Sequence, residues 1–188
     1  VLYCATAGEE TGDGGAEGCT ERAGAITMMD RQYVADAAIN LDGGNKATIT
    51  HVHLLWMRVV VPGYSAHSSR RGVMLEQERT HEYPTVAVNA IDKARVIMDA
   101  LAELERRWYG TKKFYLLPHG HFTIGPNVLR GGPDSIGTPL IIPNHCDLDY
   151  CVWALQTEPV EQAKKELLEA INSASSKDWW LKDHSPTV

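Results

Sequence analysis

No apolar run in this sequence approaches the roughly 18 residues a membrane-crossing helix needs, so no such helix is expected. Positive charge is also scarce. Lysine and arginine number 18 against 24 acidic residues, and the resulting net charge of −6 argues against a general nucleic-acid binder. Val1–Ala7 lacks the basic start of a secretory signal and runs straight into glycines and acids, so none is expected there. Cys4, Cys19, Cys146 and Cys151 show no C-x-x-C spacing, and we expect reduced thiols in a cytoplasmic protein. Internal repeats and low-complexity segments are absent. What is present is an apolar fraction of 44% over 188 residues, enough for a packed core, which sets disorder aside.

Val1-Leu2-Tyr3-Cys4-Ala5 reads as the middle of a buried strand, as if the chain were an internal stretch of something longer. Gly8, Gly12, Gly14, Gly15 and Gly18 then mark a loop, followed by a weak helix around Gly15–Ala23. Asp36–Leu41 reads as a second buried strand that ends in a turn at Asp42-Gly43-Gly44. From Lys46 the texture changes. Thr48–Val61 reads as a strand or hairpin closed by Pro62-Gly63, and Gly63–Thr85 as polar, basic and irregular. Asn89 is a helix N-cap, with Asp92 placed to complement the dipole. Ile91, Ala94, Ile97, Leu101, Leu104 and Trp108 follow it as a stripe at spacings of three and four. Phe122–Val128 and Cys146–Leu155 read as strands joined through Gly131-Gly132-Pro133. Pro159 opens a last helix striped by Val160, Ala163, Leu167 and Ile171. Strand, helix, strand, strand, helix lacks one strand of a ferredoxin-like split βαβ layer, and His184–Val188 reads as that strand's start.

The fold class expected is therefore α/β (α+β): residues 1–44 as part of an α/β domain, and residues 45–188 as a ferredoxin-like domain whose final strand is truncated. Several residues bear chemistry. Glu9 and Glu10 lie at a strand end before a glycine-rich loop, where α/β sheets place ligands. Adjacent carboxylates there point in different directions, so one can hold a metal while the other serves as a base. Taken alone, such a pair is more often a solvated surface. Asp42 ends the second strand, where an isolated aspartate is commonly a turn former. His67, in a polar loop after a strand, suits a ligand or a carbonyl-polarising donor, although an exposed structural histidine is the commoner case. His51 and His53 share a strand face without a third ligand, and with His119, His121 and His145 they read as structural. Gly12–Gly18 comes near a dinucleotide fingerprint, but its last glycine is one residue late, and the nucleotide reading is rejected.

Taken in order, ATAGEETGDGGAEG, DAAINLD, VPGYSAHSSRRG, VNAIDKA, and GG with IIPNHC resemble the dinuclear-zinc amidohydrolases and peptidases. That family includes acetylornithine deacetylase, succinyl-diaminopimelate desuccinylase, aminoacylase and the glutamate-releasing carboxypeptidases. The resemblance implies that Glu9 is the general base acting on a metal-bridging water and that Glu10 and Asp42 are zinc ligands. It also implies that His67 reaches into a partner subunit's active site to stabilise the oxyanion. It implies two zinc ions per active site in the full-length parent, with cobalt or manganese as substitutes. The implied partners are a small acyl-amino-acid or peptide substrate and a second copy of the chain, paired through the ferredoxin-like lid domain; no nucleic acid and no membrane are implied.

This sequence departs from the family pattern in several places. The H-x-D motif that supplies a ligand histidine and the bridging aspartate is absent before Glu9, and the last ligand histidine is absent too. Two of five metal-site residues do not close a four-coordinate site, so the isolated chain is expected to be inactive. Gly43 replaces the proline that usually follows the acidic ligand. Trp153 stands where the family often has a substrate-touching arginine, and Leu140 where it has asparagine. Val73–Thr85 is an insert in the core pattern. The expected function is hydrolysis of an N-acyl or peptide amide bond. The alternatives are a non-catalytic dimerisation module and an unrelated α/β binding domain.

Overall fold

The computed structural model describes residues 30–33, 50–81, 86–132 and 138–188. The chain divides into two compact units, Val1–Ala47 and Thr48–Val188. The second unit is a mixed α/β layer, described here by itself. Its long elements are β1 (His53–Pro62), α2 (Ala90–Thr111), β3 (Thr123–Gly131), β5 (His145–Ala154) and α3 (Val160–Ser175). Three short ones stand between them: β2 (Ala66–His67), α1 (Arg71–Thr80) and β4 (Ile141–Ile142). The main sheet is antiparallel in the order β1-β5-β3, and β2 pairs with β4 in a separate two-stranded ladder.

Alternation along β5 explains why the sheet is covered on one side. Cys146, Leu148, Tyr150, Val152 and Ala154 are buried, while His145, Asp147, Asp149, Cys151 and Trp153 between them are only half-buried. The buried set meets Val59 and Val61 of β1, Ile124 of β3, and the helix stripes Ala94, Ile97, Leu101, Leu104 and Trp108 (α2) and Ala163, Leu167 and Ile171 (α3) in one continuous core. α2 begins where the sequence places it: the Asn89 side chain accepts the Ile91 N–H at 2.9 Å, with Asp92 in the first turn. Sheet order and helix placement are those of a split βαβ layer. Beside β1, Thr187 exchanges both backbone hydrogen bonds with Val60 at 2.9 and 3.1 Å, on the edge where a fourth strand of such a layer lies.

Of the strand and hairpin readings of Thr48–Val61, the strand holds: the regular part among the described residues is His53–Pro62. Two local expectations are corrected. β3 runs on to Gly131, through a bulge between Pro126 and Val128 that the glycine and proline of Gly125-Pro126 disguise in the sequence. The segment after His67, read as irregular, contains a ten-residue helix. That helix buries only Met74 and Gln77, so its apolar stripe is too thin to register as a period.

Candidate functional site

His67 is the sequence-derived candidate that lies among the described residues. Glu9, Glu10 and Asp42 lie outside them. The strand carrying His67 is held by main-chain bonds on both sides. Gly63 N–H donates to Asn144 O (2.6 Å), Tyr64 and Val88 exchange bonds at 2.8 and 2.9 Å, and Ser68 N–H donates to Leu140 O (2.7 Å). Gly63 is required for this approach, because a Cβ there would sit 2.5 Å from Val88 O and 2.8 Å from Ala90 N. Ala66 pairs with Ile142 and His67 with Ile141. Ala66 and Ile142 rest on Met74 and Ala87, a small apolar cluster separate from the main core.

The His67 side chain is exposed, yet its ring orientation is fixed. It caps the single 3-10 turn Ser68–Arg70, with Nδ1 accepting the Ser69 N–H at 3.2 Å and lying 2.9 Å from Ser69 Oγ. An N–H donor needs a lone pair on Nδ1, so the neutral ring carries its proton on Nε2. Nε2 makes no hydrogen bond among the described residues, which leaves an oriented N–H donor facing outward. Such a donor can stabilise a developing negative charge on a carbonyl oxygen supplied from outside this layer.

The other histidines have local uses. His51 Nδ1 donates to Val52 O (3.0 Å) and His53 Nε2 to Glu158 O (3.2 Å). His119 packs edge-on to Tyr109 at 4.4 Å, and His121 edge-on to Trp153 at 5.3 Å. Among the described residues no three histidine, cysteine, aspartate or glutamate side chains are grouped to hold a metal ion.

The open face of the sheet carries a feature that sequence reading missed. Asp149 accepts Arg58 Nε at 2.6 Å, Arg58 Nη2 at 3.1 Å and Arg130 Nη1 at 2.7 Å. Hydrogen bonds from Arg58 and then Arg130 pull its carboxyl down to about 2. Beside this triad lies a hollow of about 390 Å³, lined by Trp56, Met57, Arg58, Asn127, Asp149, Tyr150 and Cys151. Trp56 is 71% exposed there. Trp153 shares the face and donates its indole N–H to Cys151 Sγ at 3.3 Å. The available signal was alternation, since odd-numbered positions of β5 share one face and Arg58 lies directly opposite Asp149 in the ladder.

No protein-family profile matches the chain. It is similar to N-formyl-4-amino-5-aminomethyl-2-methylpyrimidine deformylase of Halalkalibacterium halodurans, 28% identical over 193 residues that cover 100% of this chain and 40% of that protein. The protein of the same name from Bacillus subtilis is 27% identical over 186 residues, covering 95% of this chain and 38% of that one. The chain thus spans about two fifths of the length of these relatives. Among solved structures, aminopeptidase PepT from Bacillus cereus superposes with a TM-score of 0.39 and 16% identity over 66% of this chain and 26% of that one. Human carnosine dipeptidase 1 does so with 0.41 and 11% over 77% and 38%. No helix among the described residues is long and apolar enough to cross a membrane.

Proposed function

We propose that this chain is part of a metal-dependent amide hydrolase of the amidohydrolase and peptidase class that its motifs resemble. Within that class we propose a deformylase, acting on the N-formyl amide of a small aminopyrimidine. The observation that carries the reading is the similarity to two deformylases, which covers 100% of this chain in one and 95% in the other. The expected acyl-amino-acid or peptide substrate narrows, in this reading, to one with the smallest acyl group. In this reading Glu10 and Asp42 belong to the metal-binding set, and the metal supplies Lewis-acid activation of water when bound. Glu9 takes the proton from the attacking water and delivers it to the leaving amine. His67 donates its Nε2–H to the carbonyl oxygen as negative charge gathers there. The outward aim of that donor supports a site supplied by a second copy of the chain, and hence a homodimer formed through this layer.

The test is Glu9→Gln in the protein that carries this chain, assayed for formate release and for metal content. Glutamine keeps the shape of glutamate but cannot take a proton. The reading expects turnover to fall by about 10²–10⁴-fold, the usual share of a general base, with the metal retained. Turnover near that of the unaltered protein would remove Glu9 from the base role.

A further inference from the structure

We propose that the Glu78–Lys93 ion pair is a latch that positions His67, acting through the helix that follows it; this rests on reading His67 as a site residue. Lys93 sits in the first turn of α2 with its side chain 4% exposed. Its ammonium donates to Glu78 Oε1 of α1 at 2.8 Å and to Asp178 Oδ2, beyond α3, at 3.0 Å. It also lies 5.0 Å from the centre of the Trp179 ring, on whose indole His81, the residue that ends α1, is stacked at 5.7 Å.

A buried ammonium needs a partner, because a charge taken out of water and left unpaired is strongly unfavourable. Asp178, 11% exposed, already meets that need, and its other oxygen accepts Trp180 N–H and Leu181 N–H, both at 2.9 Å. Glu78, 38% exposed, is therefore surplus to neutralising Lys93, and the effect of its bond is to hold α1 against α2. What α1 holds in turn is the His67 platform. Met74 of α1 packs on Ala87 and on Ile142 of β4, with Ala66 of β2 against the same cluster, and Gln77 Oε1 accepts Val86 N–H at 2.8 Å. The 3-10 turn whose Ser69 N–H orients the imidazole runs directly into α1. Movement of α1 is thus transmitted to the groups that fix the His67 ring. The other bridge between α1 and α2, Arg71–Asp92 at 2.7 Å, is exposed and contributes little.

Lys93→Met leaves Asp178 without its cation and risks unfolding the layer, so the informative variant is Glu78→Gln, which keeps the Lys93–Asp178 pair. Two readouts are taken on the ¹⁵N-labelled chain: amide exchange along residues 71–80 and 94–104, and the imidazole nitrogen resonances of His67. Glu78→Gln is expected to lower protection in α1 by about tenfold while α2 keeps its own. The wide separation between the His67 Nδ1 and Nε2 resonances that marks a single tautomer is expected to narrow in the same variant. Unchanged α1 protection and unchanged His67 resonances would overturn the proposal, and so would an equal loss of protection in α2. Neither readout involves turnover, so failure of the proposed deformylase activity and failure of the latch are seen separately.

Discussion

Asp149 shows how much of this layer's chemistry is set by neighbours across strands. Its carboxyl ordinarily titrates near 3.8 and is pulled to about 2 by the Arg58 and Arg130 guanidinium groups. A group whose folded value is depressed adds stability above its unfolded value and loses it as pH falls through the folded one. The contribution of this triad is therefore present above about pH 4 and vanishes between there and pH 2. Arg58 and Arg130 are largely exposed, so solvent screening keeps the effect small. Asp149→Asn should flatten the acid limb of a urea-stability profile taken between pH 5 and pH 2. An acid limb as steep as that of the unaltered protein would show that the triad does not couple to folding. Cys146 shows the opposite cause: burial first, with Asp147 nearby, pushes its thiol up to about 11, which suits an inert core residue rather than a nucleophile.

Among the elements, those with a clear period were legible in the sequence. α2 could be read from Asn89 and the stripe ending at Trp108, and Leu101 within that stripe is fully buried. Leu101→Ala should cost about 2–5 kcal/mol in chemical denaturation, the range for a leucine removed from a packed core. A loss well under 1 kcal/mol would mean that the stripe is not packed as described. α1 was not legible, because its hold on the layer is a single methionine, a glutamine and charges rather than an apolar face. Propensity was the better guide there, since Arg71–Thr80 is rich in glutamate, glutamine, arginine, methionine and leucine. Nothing in the helix pattern sets Lys93 apart from the other lysines of the sequence. Its partners Glu78 and Asp178 are 15 and 85 residues away, and no local pattern announces them. A second staple of this kind ties α2 to α3: Trp108 Nε1 donates to Glu166 at 2.6 Å, and Lys112 bonds both Glu166 and Glu158. Burial works against these charges, but the hydrogen bonds to Glu166 outweigh it and hold that carboxyl below its usual range.

At the scale of the whole molecule, the order of the five long strands and helices from His53 onward was legible because each carries its own period and punctuation. Of the candidate site, only His67 lies among the described residues. Glu9, Glu10, Asp42 and His67 stand out by motif order, whereas the ring geometry that makes His67 a donor follows from Ser69 and could not be read from composition. The proposed function has Glu9 of one copy and His67 of its partner serving the same reaction. Formate release from N-formyl-4-amino-5-aminomethyl-2-methylpyrimidine, measured on a mixture of two variants, tests it most directly. His67→Ala and Glu9→Gln should each be nearly inactive alone. In a two-fold symmetric dimer, unfolding and refolding the variants together makes half of the dimers mixed, each with one complete site. The mixture should therefore recover about a quarter of the activity of the unaltered protein. With both variants made in the longer protein that carries this chain, a mixture that stays as inactive as its components while both still pair, or an unaltered longer protein that releases no formate, would contradict the account.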